Sequence, residues 1–106
     1  MPQVTQRQIA RNDLIEHFIY LAENARQDIA DRFLTNAETT FNLLAEQPML
    51  GVALDLQRSD LAALRKWRVK DFEDVLIFYQ PRPNGVMIVR VLHGTRDWWG
   101  LLKLDV

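Results

Sequence analysis

Ten residues, RVLHGTRDWW at positions 90–99, carry two arginines, a histidine, an aspartate and two tryptophans. His93 and Arg96 lie close enough in sequence for general acid–base work with charge stabilisation on a phosphodiester. A structural account fits the same residues. Gly94 permits a turn, and Arg96 can pair with Asp97 or with a helix terminus. The residues alone leave both accounts open. Trp98 and Trp99 are adjacent and must point in different directions, so one can pack while the other stands exposed as a partner anchor.

A second group of cations precedes this segment. Lys66, Arg68 and Lys70 alternate with Trp67 and Val69. With Arg90 and Arg96 they form a basic set suited to phosphates or to a carboxylate-rich peptide. The plain alternative is a solvated sheet face whose charges pair with Asp71, Glu73, Asp74 and Asp97. Arg90 interrupts the apolar run VMIVRVL and must reach water, a partner or a carboxylate, which favours a functional surface.

Other chemistries lack their residues. There is no cysteine, which removes disulfides, thiolate catalysis and thiolate metal sites. Neither GxxxxGK[ST] nor GxGxxG occurs. His17 and His93 are the only histidines and lack metal-ligand spacing, so no metal and no cofactor is expected. Ser59 is the sole serine and has no nucleophile elbow around it. His17, between Leu14, Phe18 and Leu21, reads as a helix-flank residue, and Trp67 as core.

These side chains need elements to hold them. Ala10, Leu14, Phe18 and Leu21 recur at helical spacing, with Ile15, Ile19 and Ala22 widening the stripe. A second stripe runs Ile29, Phe33, Ala37, Phe41, Leu44. The break at residues 24–27 is so short that the two helices must fold back as a hairpin, and Pro48 stops the second. Residues 52–64 fit neither period and read as an irregular connection, with one helical turn near Ser59-Asp60-Leu61.

From residue 65 the period changes to two. RKWRVK (65–70), VLIFYQ (75–80) and VMIVRVL (86–92) read as strands, with Asn84-Gly85 suited to positive φ in the turn before the last. The segment Pro2 to Thr5 can add an edge strand. The expected fold class is α+β in the order (β)-α-α-β-β-β. A helical hairpin packs on one face of a small antiparallel sheet, and the other face is left open with Lys66, Arg68 and Lys70 upon it.

The chain has 106 residues, the size of one domain spanning 1–106, with a net charge of −1. Residues 1–60 carry 5 Lys+Arg against 9 Asp+Glu, and residues 61–106 carry 8 against 5. This acidic first part and basic second part suggest a surface with two faces, without the strong positive charge of an autonomous nucleic-acid binder. The absence of cysteine, of a signal-like h-region and of a membrane-length apolar run points to a cytoplasmic protein with no membrane partner.

The segment LRKWRVKDFEDVLIFYQPRPNGVMIVRVLHGTRD, residues 64–97, resembles the C-terminal part of the RelE/ParE superfamily of toxins from bacterial type II toxin–antitoxin systems. LAEQPMLG, residues 44–51, is similar to the family's passage of helix, proline and glycine, and the element order agrees. The resemblance implies a RelE/ParE-like fold and a cognate antitoxin as partner. RelE-like members cleave mRNA on the ribosome, using an arginine after the last strand and a tyrosine near the C-terminus. ParE-like members act on DNA gyrase.

Arg96 fits the post-strand arginine, but Leu102 stands where the tyrosine is expected, and Tyr20 and Tyr79 lie elsewhere. FEDVLIFY, residues 72–79, offers no match for the middle-strand arginine of RelE-like enzymes. The resemblance therefore implies a ParE-like toxin that binds antitoxin or target through Lys66, Arg68, Lys70, Arg90, His93, Arg96, Trp98 and Trp99. Two alternatives remain. One is a RelE-like nuclease using Arg96, His93 and Lys70, with ribosome and mRNA as partners. The other is a degenerate homologue that only binds antitoxin. An open sheet face and an exposed tryptophan also suit a homodimer.

Overall fold

The computed structural model describes residues 2–54 and 62–94. The chain runs β1 (Gln3–Gln6), α1 (Gln8–Asn24), α2 (Gln27–Glu46), β2 (Val52–Ala53), β3 (Arg65–Val69), β4 (Phe72–Arg82) and β5 (Gly85–His93). The strands form one sheet in the order β1-β5-β4-β3-β2. The helical hairpin and the three long strands are those expected from the two hydrophobic periods.

The edge strand near the N-terminus is present, but it runs parallel to β5, so the sheet is mixed. Gly85 makes that pairing possible. Its φ is +149°, and a Cβ there would collide with the Gln3 backbone. Asn84 does not share the positive φ; among non-glycine described residues only Ala63 and Asp71 do. The β4–β5 turn is Pro83-Asn84, with Arg82 opposite Gly85. The strand β2 lies in what read as irregular connection; two residues are too few to show a period. The helical turn expected near Ser59-Asp60-Leu61 lies outside the described residues.

The main core lies between the hairpin and the sheet. Phe33, Ala37, Phe41 and Leu44 from α2 meet Ile77, Tyr79, Ile88 and Val91 from the strands. The Phe33 ring stands edge-on to Phe72, with centroids 5.3 Å apart. On α1 the stripe is narrower than its apolar content. Ala10 is buried and Leu14 and Leu21 pack on the core, but Ile15 and Ile19 are 55% and 48% exposed. At about 100° per residue they lie roughly 140° and 180° around the helix from Ala10, so a helix resting on one sheet cannot bury both.

The opposite sheet face is not open in its middle. Leu64, Phe78, Val89 and Leu92 form a second buried cluster, with Leu54, Leu76 and Met87 packed against it. The ends of the β2–β3 connection help to close it: Leu54 N–H donates to Leu64 O at 2.9 Å, and Gln80 Nε2 donates to Ala62 O at 3.0 Å. Among the described residues no helix is long and apolar enough to cross a membrane.

Candidate partner-binding surface

Cross-strand partners share a sheet face, so the register places each cation. Lys66 pairs with Phe78 and Arg68 with Leu76, both of the outer cluster, so these two cations lie on the face away from the helices as expected. Arg68 is exposed, and its guanidinium carbon lies 4.7 Å from the Trp67 ring centroid, a cation–π contact. Trp67 pairs with Ile77 and packs half-buried on the main core. Lys70 is exposed in the β3–β4 turn. Arg82, not singled out in the sequence, joins the outer face: it follows Phe78 and Gln80 at even spacing and donates to Gln80 Oε1 at 3.1 Å. The outer face is thus a buried apolar patch rimmed by Lys66, Arg68 and Arg82.

Arg90 does not belong to this rim. It is 8% exposed, and its Nε and Nη2 donate to the two carboxylate oxygens of Asp13 at 2.8 and 3.0 Å. The cause lies at the edge of β5. Pairing with β1 ends at Gln6 opposite Ile88, and Val89 is an extra residue between the Tyr79–Ile88 and Phe78–Arg90 pairs. Beyond that bulge no strand among the described residues pairs with β5 on its β1 side, and α1 supplies partners there. Asp13 Oδ2 accepts from Val91 N–H at 3.0 Å, and His17 Nε2 lies 3.0 Å from Val91 O. A carbonyl only accepts, so His17 Nε2 carries the proton.

Asp13 and His17, one helical turn apart, thus satisfy both backbone groups of one strand residue, and Arg90 neutralises the buried carboxylate. Arg90 reached a carboxylate, one of the three fates open to it, rather than a partner. The available signal was an acid inside the α1 apolar stripe, four residues before a histidine; its strand partner 77 positions away carried no local mark.

His93 lies on the helix side of the sheet, because it pairs with Val75 of the main core. It lines a cleft of about 510 Å³ together with Asp13, Glu16, His17, Tyr20, Val91 and Leu92. An adjoining cleft of about 290 Å³ shares His17, Tyr20 and His93 and adds Asp71, Glu73 and Asp74. The two histidines therefore meet in one acid-walled cleft, on the other side of the sheet from Lys66 and Arg68. Among the described residues no group of histidines and acids is arranged to hold a metal ion. Arg96, Trp98 and Trp99 lie outside the described residues.

Two further locks hold β3 and β4. Tyr79 is fully buried; its hydroxyl donates to Pro48 O and accepts from Gly51 N–H, both at 2.8 Å. Burial pushes this phenol above its usual range, while the Gly51 N–H and the Arg65 charge pull the other way. Arg65 Nη1 donates to Gly51 O at 2.6 Å, so the loop after α2 is tied to both strands. A Cβ on Gly51 would lie 2.5 Å from the Tyr79 hydroxyl. At the β3–β4 turn, Asn36 Nδ2 donates to Lys70 O, and Thr40 Oγ1 accepts from Lys70 N–H. Together these fix the register of the strand bearing Lys66 and Arg68.

The family model for the ParE toxin of the type II toxin–antitoxin system parDE matches residues 4–98. The chain belongs to the ParE toxin family. A solved structure described as the chromosomal ParDE TA system from P. aeruginosa is similar in fold, with a TM-score of 0.69 at 11% identity, covering 88% of this chain and 96% of that one. No curated protein matches the sequence significantly. For a ParE-family chain the helical hairpin on a five-stranded sheet is the expected frame, and identity this low means that fold, not side chains, is what the two share.

Proposed function

We propose that this ParE-family chain is a toxin that inhibits DNA gyrase by binding and is neutralised by a cognate antitoxin. The observation that supports a binding role over catalysis is the acidic setting of His93. His93 stands in an acid-walled cleft on the helix side, where a phosphodiester would meet Glu16, Glu73 and Asp74. Lys70 sits at the β3–β4 turn, and Arg90 is buried with two bonds to Asp13. The outer-face cations Lys66, Arg68 and Arg82 suit the acidic side chains of an antitoxin segment. On the sequence alone, Arg96, Trp98 and Trp99 belong to the proposed binding set.

The RelE-like alternative rests on Arg96 as the post-strand arginine, with His93 or Lys70 handling protons. In vitro translation with mapping of message ends separates the two. The gyrase reading expects intact message; cleavage in the ribosomal A site that is lost in Arg96→Ala overturns it. Induced expression of the chain alone tests toxicity itself. Growth arrest relieved by the antitoxin is expected, and normal growth leaves the degenerate, antitoxin-binding homologue.

A further inference from the structure

The outward side of α1 carries a pattern that neither the core nor the proposed antitoxin surface uses. Arg11, Ile15, Ile19 and Glu23 follow one another at intervals of four, so they form a single ridge. All four are exposed or half-exposed, the two isoleucines at 55% and 48%. The middle of the ridge points about 160° away from Ala10, straight out from the core. Neither Arg11 nor Glu23 forms an ion pair among the described residues.

Along the ridge the chemistry reads cation, apolar, apolar, anion. Turned end for end, the same ridge reads anion, apolar, apolar, cation. We propose that α1 pairs antiparallel with α1 of a second copy of this chain. A two-fold axis beside position 17 sets Ile15 against the partner's Ile19 and Arg11 against the partner's Glu23, each contact made twice. An isologous dimer demands this self-complementarity, and a partner of other sequence does not. When ridges of this spacing are aligned, the helices cross at about 50°, the commonest packing class. The ridge spans roughly 18 Å, within the length of α1, so no element has to move. Arginine and glutamate, the long side chains, stand at its ends, where two crossing helices diverge.

One helix pair buries well under the ~800 Å² per partner of a stable interface, so a weak, concentration-dependent dimer is expected. The proposal is independent of the toxin reading, because it concerns the chain alone. Sedimentation velocity over a concentration series tests it with the intact chain. The wild type should pass from monomer to dimer. Arg11→Glu and Glu23→Arg should each weaken the dimer about tenfold or more, since each juxtaposes like charges twice. An equimolar mixture of the two variants should regain wild-type affinity. In the mixed dimer the introduced glutamate faces the introduced arginine, and the native Arg11 of one chain faces the native Glu23 of the other. All these positions lie on the solvent side of the helix, so the variants keep the fold. A chain that stays monomeric, a dimer insensitive to either variant, or a mixture that does not recover overturns the proposal. If Ile15→Asp abolishes antitoxin binding while the wild type stays monomeric, the ridge belongs to the antitoxin instead.

Discussion

Arg68 on β3 and Arg90 on β5 are both strand arginines, yet they serve opposite ends. Arg68 alternates with core residues, pairs across the sheet with Leu76 and lies exposed on the Trp67 ring. Arg90 follows a bulge at the point where the neighbouring strand has stopped, and it is buried against Asp13. The difference is set by what flanks each strand. An exposed cation keeps its hydration and remains available to a partner. A buried one must be matched by a carboxylate held in place, and it is then part of the fold.

That contrast can be broken in graded steps. Removing the cation of the buried pair should cost most: Arg90→Ala should lose about 3–5 kcal/mol in urea unfolding, because the buried Asp13 carboxylate loses its cation. Asp13→Leu combined with Arg90→Met should lose less than Arg90→Ala. Gly51→Ala should come next, at about 2–3 kcal/mol, since the methyl group drives into the buried Tyr79 hydroxyl.

Tyr79→Phe removes the acceptor for Gly51 N–H and the donor to Pro48 O, and should cost about 1–3 kcal/mol. Its pH dependence has a definite sign. The folded-state pKa of Tyr79 is raised, so its contribution is complete below the unfolded value of about 10 and is lost as pH rises through the folded value. The stability gap between wild type and Tyr79→Phe should therefore narrow above that pH. Arg68→Ala should have the smallest effect on folding, about 0.5 kcal/mol, while weakening antitoxin binding about tenfold as read by titration calorimetry. Loss of fold in Arg68→Ala, or tight antitoxin binding by it, would erase the distinction between the two arginines.

Much of the frame was legible in the chain because it is written in local periods. The α2 stripe, the long strands and the Pro48 stop each depend on residues within one element. What was not legible depends on distant ones. The parallel pairing of β1 is decided by Gly85 accepting the Gln3 backbone, which no four-residue pattern such as QVTQ announces. The role of Arg90 is decided by Asp13, and the bulge at Val89 is invisible in a run of apolar residues. His17, which read as a plain helix-flank residue, completes the strand edge through Val91 O. Ile15 and Ile19 read as core because composition does not show which way a helix with apolar residues on several sides will face. The alternation of β3 put Lys66 and Arg68 on one sheet face, as the register does. Closeness in sequence did not show that His93 lies on the helix side opposite Val75, or that Arg90 after the bulge is held by Asp13.

Supercoiling of relaxed plasmid by purified gyrase, with the purified chain added in increasing amounts, tests the central claim most directly. Dose-dependent loss of supercoiling, reversed by stoichiometric antitoxin, is the expected result. Full supercoiling at saturating amounts of a chain that still arrests growth would contradict it.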